Sequence, residues 1–305
     1  MSKALYRKYR SKKLSEVVGQ KHITTVLENA LKQGKIAHAY LFTGPRGVGK
    51  TSIARILAHE INNLPYSEED NHPDIIEIDA ASNNGVDDIR QLRDNVQIAP
   101  FSAKYRVYII DEVHMLSKAA FNALLKTLEE PPEHAVFILA TTDAHKLPAT
   151  IISRTQRFVF RFISKEDVCA HLEFIAKNEK INISKEAIEI IAERGEGSFR
   201  DSISLLDQIS SIAEKNEEIT ANLIEEALGL APKMQINALI SAFENQNSNE
   251  ILQIVRDVRN SGVDLKNFAS QLLSFITENV GEKPYLSQFL MPLTRAEKSN
   301  FIEME

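Results

Sequence analysis

Nine consecutive residues combine glycines, a lysine and a threonine at the spacing of a phosphate-binding loop. They are Gly44, Pro45, Arg46, Gly47, Val48, Gly49, Lys50, Thr51 and Ser52. Glycines let the backbone adopt conformations closed to residues with a Cβ, so that successive N–H groups turn toward a polyphosphate. Lys50 would then reach the β- and γ-phosphates, and the Thr51 hydroxyl would ligate the Mg²⁺ that bridges them.

The residues on either side of this loop have the pattern that a phosphate site requires. An apolar run at 39–42 precedes it and a helix-patterned run at 52–58 follows it. The order strand, glycine-rich turn and helix leaves little room for an accidental match, and the helix adds the positive end of its dipole. We therefore predict a functional phosphate site.

Two adjacent carboxylates, Asp111 and Glu112, follow a second apolar run at 105–110. The carboxyl ends of parallel strands are where open α/β sheets bind ligands. A lone Asp-Glu pair is weak evidence, but a phosphate loop earlier in the chain strengthens it. We expect Asp111 to hold the Mg²⁺ shell and Glu112 to polarise the attacking water.

Further polar residues lie where they could contact the same phosphates. A buried strand at 136–142 ends in Thr141 and Thr142, level with the γ-phosphate if the sheet is parallel. Arg200 lies in the first turn of a predicted helix, where the helix dipole disfavours a cation unless an anion is near. The alternative for Arg200 is a surface arginine paired with Asp201 or Glu196.

Composition describes an ordinary globular protein and limits its chemistry. The 305 residues are 43% hydrophobic and 26% charged, with a net charge of −6, so any nucleic-acid contact must come from local patches. The single cysteine, Cys169, excludes an internal disulfide and a cysteine-based zinc site. No apolar run approaches 18 residues and the N-terminus lacks an apolar segment, so we expect a cytoplasmic protein without a membrane partner.

The hydrophobic periodicity changes along the chain. Strand and helix patterns alternate up to about residue 163, ending in a predicted strand at 158–162, which indicates a parallel, doubly wound α/β core. Only helical patterns follow, with a plausible joint at Pro232. We predict a nucleotide-binding core at 1–163, a helical domain at 164–231 and a further helical domain at 232–305. A basic arm with Tyr6 and Tyr9 begins the chain, either solvated or packed on a nucleotide base or a partner.

These residues together resemble the gamma/tau family of bacterial DNA polymerase III clamp loader subunits, which are AAA+ ATPases. The resemblance covers about residues 5–230. Besides the phosphate loop it includes Ile-Asp-Glu-Val-His-Met-Leu at 110–116 and Gly-Ser-Phe-Arg-Asp-Ser at 197–202, with further matching segments at 7–10, 17–20, 38–42, 77–82, 121–132 and 140–143.

The resemblance implies roles for particular residues. Thr141, with Thr142 as the alternative, would be sensor 1, and Arg200 would be sensor 2. Arg154 would be the arginine finger that enters a neighbouring subunit's site. Val17 and Val18, with the basic arm, would line the adenine pocket. The implied cofactors are ATP and Mg²⁺, and residues 164–231 and 232–305 would be the lid and a collar-like domain.

The family also implies partners: other clamp loader subunits in a ring, expected to be a pentamer, a sliding clamp and primer–template DNA. Three departures stand out. A short loop at 64–73 replaces the family's four-cysteine zinc module, so we predict no zinc. Thr155 replaces a cysteine of the family's Ser-Arg-Cys signature, and the collar-like tail is short. Two alternatives remain: a non-hydrolysing scaffold subunit, or another AAA+ DNA-processing ATPase for branch migration or fork repair.

Overall fold

The computed structural model describes residues 4–66, 72–212 and 218–298. The chain divides into two compact units, Met1–Lys180 with Ile191–Gln208 and Ile181–Ile190 with Ile209–Glu305. None of the described helices is both long enough and apolar enough to cross a bilayer.

The first unit is built on one five-stranded sheet. Its strands are β1 (Ala39–Thr43), β2 (Ile75–Asp79), β3 (Arg106–Asp111), β4 (Ala135–Thr141) and β5 (Gln156–Val159). Their order is β2-β3-β4-β1-β5, and every neighbouring pair is parallel. The predicted parallel α/β core is therefore confirmed, and the carboxyl ends of β1, β3 and β4 meet at one edge.

The described α-helices belong to both units. They are α1 (Leu5–Lys8), α2 (Lys21–Lys32), α3 (Lys50–Ile61), α4 (Val86–Val96), α5 (Lys118–Glu129), α6 (Ala149–Ile152), α7 (Lys165–Glu179), α8 (Lys185–Arg194), α9 (Phe199–Ser210), α10 (Ala221–Ala227), α11 (Lys233–Glu244), α12 (Ser248–Asn260), α13 (Leu265–Asn279) and α14 (Ser287–Lys298). Ser117 caps α5 and Ser164 caps α7, each accepting a backbone hydrogen bond three residues on.

Alternation along the strands divides the sheet into two buried faces. Leu41, Ile110 and Leu139 face a core that α4 and α5 complete with Leu92 and Leu124. In the second unit, Ile236, Leu239, Phe268, Leu272 and Leu286 form a separate core. Each unit therefore has its own apolar interior.

The last strand begins and ends earlier than the sequence predicts. Residues 156–159 pair with β1, whereas residues 158–162 were expected. The buried side chain of Gln20 accepts from Arg161 N–H at 3.3 Å and donates to its carbonyl at 2.7 Å. A side chain thus satisfies the backbone groups that a longer strand would have paired.

Candidate functional site

The phosphate loop connects the end of β1 to the start of α3. Gly47 has φ +74°, and a Cβ there would lie 1.8 Å from Ser198 Oγ. Gly44, with φ +147°, lies so close to Phe160 that a Cβ would be 2.5 Å from its carbonyl oxygen. Both glycines are therefore required by backbone conformation and by close packing together.

Lys50 begins α3 and its ammonium lies inside the loop. Its Nζ donates to the carbonyls of Gly44 at 2.8 Å and Pro45 at 2.5 Å. Burial lowers the pKa of Lys50, while the nearby charges of Glu112 and Asp111 act in the opposite direction. A buried cation beside two carboxylates is suited to neutralising a polyphosphate.

Thr51, in the first turn of α3, and Asp111, at the end of β3, are in direct contact. The Thr51 hydroxyl donates to Asp111 Oδ2 at 2.7 Å. Burial raises the pKa of Asp111, and hydrogen bonds from Thr51 and from the Glu112 backbone partly offset that effect. A hydroxyl and a carboxylate oxygen at this separation are hard ligands that fit Mg²⁺.

Glu112 has an uncommon backbone conformation, with φ +46° and ψ +43°. Its Oε2 accepts from the backbone N–H of Thr142 at 3.2 Å and from the Thr142 hydroxyl at 2.9 Å. A non-glycine residue in the left-handed region costs free energy, and such residues cluster at functional sites.

Thr141 ends β4 and Thr142 follows it, and their hydroxyls make different contacts. The Thr142 hydroxyl contacts Glu112, whereas Thr141 is fully buried. Thr141 Oγ1 accepts from the Asp143 backbone at 3.0 Å and lies 3.0 Å from His114 Nδ1. His114 was not among the predicted site residues, although it belongs to the 110–116 motif.

One cavity of about 180 Å³ brings most of the predicted residues together. The phosphate loop lines it through Arg46, Gly47, Val48, Gly49, Lys50, Thr51 and Ser52, with Asp111 and Glu112 at the sheet edge and Val17, Val18, Arg200, Tyr6, Tyr9, Arg10, Ser11, His171, Phe199 and Ile203 on the remaining walls. The other residues that the sequence suggested for the site are not among the lining residues: Gly44, Pro45, Thr141, Thr142 and Arg154. The aromatic residues offer a surface on which a base can stack.

The N-terminal arm packs against α7 and α9. The Tyr9 hydroxyl donates to Glu179, whose carboxylate also pairs with Lys8 Nζ at 2.7 Å. Burial and the Glu179 carboxylate raise the pKa of Tyr9 to about 12. Leu5 N–H donates to Asp207 at 3.1 Å, so the arm forms part of the cavity wall.

Arg200 lies at the start of α9, next to the phosphate loop. Its guanidinium carbon is 5.4 Å from the centroid of the Tyr6 ring. Its backbone N–H donates to the Gly47 carbonyl at 3.4 Å. Asp201, which the sequence offered as an alternative partner for Arg200, instead accepts from the Ser198 hydroxyl at 2.6 Å.

Arg154 follows α6 and lies outside the cavity. Its Nη2 donates to Glu129 at 2.7 Å and its Nη1 donates to the Thr150 carbonyl at 2.9 Å. The predicted finger is thus held by its own chain.

The expectation about zinc concerns a loop that is only partly described. Residues 67–71 of that loop lie outside the described residues. Among the residues that are described, no group of three or more His, Cys, Asp or Glu could hold a metal ion.

Relatives of this chain decide its family. A DNA polymerase III subunit gamma from Buchnera aphidicola is 38% identical over 286 residues, which cover 89% of this chain and 78% of the relative. The chain belongs to the DNA polymerase III gamma/tau family. Subunit tau of Bacillus subtilis is 44% identical over 90% of this chain, and subunit tau of Escherichia coli is 42% identical over 89%. The chain spans about half the length of these two tau subunits, 51% and 44% respectively.

Three family models match consecutive parts of this gamma/tau chain. They are the DNA polymerase III delta subunit at 19–164, the ATPase lid domain of the DNA polymerase III clamp loader subunit at 167–214, and domain III of subunits gamma and tau at 219–280. Among solved structures, the RuvB Holliday junction branch migration motor of Thermotoga maritima is similar, with a TM-score of 0.58 and 23% identity over 78% of this chain and 80% of that chain. This likeness concerns the fold alone.

Proposed function

We propose that the chain is an ATP-driven motor subunit of a DNA polymerase III clamp loader. The observation that carries this proposal is the grouping of Lys50, the Thr51–Asp111 pair and Glu112 around one cavity, in a chain of the gamma/tau family. Phosphoryl transfer needs positioned cations and a positioned water more than covalent chemistry, and these side chains supply both.

Each side chain has a proposed part in ATP hydrolysis. Lys50 would bind the β- and γ-phosphates, and Thr51 and Asp111 would hold Mg²⁺, which supplies charge that polarises phosphates when it is bound. Glu112 orients the attacking water. The wall formed by Val17, Val18 and the aromatic arm receives adenine.

Three further residues act on a bound nucleotide in this proposal. Arg200 leaves Tyr6 and turns toward the γ-phosphate. The negative charge of the phosphate would offset the unfavourable position of a cation at a helix N-terminus. Of the two candidates for sensor 1, we favour Thr142, because its hydroxyl donates to Glu112, whereas Thr141 is fully buried and its hydroxyl contacts Asp143 and His114. Arg154 acts on a neighbouring subunit.

The proposed partners are other clamp loader subunits in a ring, a sliding clamp and primer–template DNA. The N-termini of α4 and α5 lie close together, since Ser117 N–H donates to the Asn84 carbonyl at 3.2 Å. These helix starts and Lys118 are our candidates for contacts to DNA phosphates. Binding should be independent of sequence and weaken with salt, since it depends on backbone charge.

A clamp-loading assay tests the proposal. The chain would be combined with the other clamp loader subunits of its organism, the sliding clamp and primed circular DNA, and clamps retained on DNA would be counted. We expect ATP-dependent loading with the wild type and none with Lys50→Ala, while Lys32→Ala on α2 serves as the control. ATP-independent loading, or no ATP hydrolysis by the assembled wild type, would favour the scaffold role. Activity on branched DNA without a clamp would favour another AAA+ motor.

A further inference from the structure

One oxygen of the Glu112 carboxylate receives all the polar contacts found in the described part of the chain. Oε2 accepts two hydrogen bonds from Thr142, at 3.2 Å from its backbone N–H and 2.9 Å from its hydroxyl. His114 Nδ1 lies 3.3 Å from the same oxygen. The second oxygen, Oε1, is thereby left to accept from another donor.

The same ring nitrogen of His114 also contacts Thr141. Nδ1 lies 3.0 Å from Thr141 Oγ1, and that oxygen already accepts from the Asp143 backbone N–H at 3.0 Å. Thr141 is fully buried and the His114 side chain is 10% exposed. Nδ1 of His114 therefore lies within 3.3 Å of both a buried hydroxyl oxygen and a Glu112 carboxylate oxygen.

The carboxylate beside Nδ1 favours the form of His114 that carries hydrogen on that nitrogen. An ionised carboxylate can only accept, so a lone pair on Nδ1 would face Oε2 and repel it. A hydrogen on Nδ1 can instead be shared between Oε2 and the remaining lone pair of Thr141 Oγ1. This conclusion holds for the neutral and the protonated ring, because both can carry hydrogen on Nδ1.

The backbone brings His114 and Glu112 to this geometry. Glu112 has φ +46° and immediately precedes a short 3-10 turn, Val113–Met115, that contains His114. The strained residue and the turn together direct both side chains toward the end of β4, where Thr141 and Thr142 lie.

We propose that His114 is a positioning residue for Glu112. Its Nδ1–H and the two Thr142 donors fix Oε2, so that Oε1 is presented to the attacking water. His114 does not line the cavity, and it acts through Glu112 alone. The inference rests on the proposed ATP hydrolysis, and it adds to that mechanism a buried imidazole that holds the water-orienting carboxylate.

The hydrogen on Nδ1 can be observed without any activity measurement. In protein with ¹⁵N-labelled histidine, long-range ¹H–¹⁵N spectra distinguish the two neutral ring tautomers, and loss of signals in His114→Asn assigns them. We expect hydrogen on Nδ1 of His114 at neutral pH in the full chain. Hydrogen on Nε2 alone would overturn the inference whatever the enzyme does.

Three variants test the positioning itself. Since a small misplacement of a reacting group can cost about 10²-fold, we expect His114→Ala to lower kcat for ATP roughly 10- to 100-fold and to leave ATP affinity within about twofold. Asparagine places an amide donor near the position of Nδ1, so His114→Asn should recover most of kcat. His145→Ala, at an exposed histidine nearby, is the control and should behave as wild type.

The outcomes separate this inference from the proposed function. Wild-type kcat in His114→Ala, or a higher kcat, would overturn the inference while ATP hydrolysis stands. A wild type without hydrolysis would overturn the proposed function, and the tautomer measurement would still decide whether Nδ1–H faces Glu112. If His114→Ala unfolds, failure of His114→Asn to keep kcat would equally contradict the inference.

Discussion

Glu112 has a strained backbone conformation, and its carboxylate makes three polar contacts. It is also the residue predicted to orient the attacking water. At the residue scale we expect Glu112→Gln to retain ATP binding, since the carboxylate does not hold phosphate, and to lower hydrolysis by about 10²–10⁴-fold, the usual contribution of a general base. Nucleotide binding and steady-state hydrolysis would be measured in parallel, with the exposed Glu133→Gln as control. Hydrolysis at the wild-type rate would remove Glu112 from the mechanism.

Asp111 is a buried carboxylate, and burial disfavours its charged form. Burial raises its pKa, so the folded state binds this proton more tightly than the unfolded state. The associated stability is therefore present below the ordinary carboxyl pKa of about 4 and is lost as pH rises through the higher folded pKa. At neutral pH the ionised group destabilises the nucleotide-free protein.

Replacing the Asp111 carboxylate by an amide should therefore stabilise the nucleotide-free protein and also inactivate it. We expect Asp111→Asn to raise the melting temperature of nucleotide-free protein at neutral pH, and to abolish the further rise that Mg²⁺ adds in the presence of ATP. The control is Asp94→Asn at an exposed position. An unchanged or lower melting temperature would show that burial is not the dominant influence on Asp111.

The sequence predicted more of the phosphate site than of its surroundings. Glycines, Lys50 and Thr51 are adjacent in the chain, so their spacing alone determines the local geometry. The contacts of Glu112 with Thr142 and His114 join the ends of two strands. They depend on the face of the sheet that each side chain occupies, and moving a side chain by one position along a strand places it on the other face. For the same reason the sequence left both threonines open as sensor 1.

Side-chain contacts between distant helices and strands were likewise not predicted from the sequence. The cavity walls from α1, α7 and α9 depend on packing between segments far apart in sequence, such as Tyr9 with Glu179. The end of β5 depends on Gln20, whose side chain replaces strand pairing at Arg161. Periodicity located these elements within a few residues but carried no information about their side-chain partners.

At the element scale, the phosphate loop and α9 are in direct contact through Gly47. We expect Gly47→Ala to lose ATP affinity, because its Cβ would overlap Ser198 and displace the loop. Gly34→Ala is the matched control, since Gly34 also has positive φ but has nothing within 4 Å of the new Cβ. It should lose only roughly 1–2 kcal/mol of stability and keep ATP affinity. Equal ATP affinity in the two variants would mean that the contact with α9 is unimportant.

At the scale of the whole molecule, Arg154 separates an assembled motor from a lone ATPase. Its guanidinium is bound to Glu129 and lies outside the cavity of its own chain. An arginine supplied to a neighbour's site can contribute about 10³–10⁵-fold in rate. We therefore expect Arg154→Ala to leave the nucleotide affinity of the isolated chain unchanged, and to abolish the extra hydrolysis seen when subunits, clamp and primed DNA are combined.

Mixing variants tests whether the arginine acts between subunits. Subunits with Arg154→Ala keep Glu112, and subunits with Glu112→Gln keep Arg154, so a mixed ring contains some interfaces with both groups intact. We expect the mixture to hydrolyse ATP faster than either variant alone, whereas Lys32→Ala, at an exposed lysine on α2, should match the wild type. If Arg154→Ala reduces the basal hydrolysis of a demonstrated monomer by the same large factor, the arginine acts within its own chain, and a ring is not needed to complete the site.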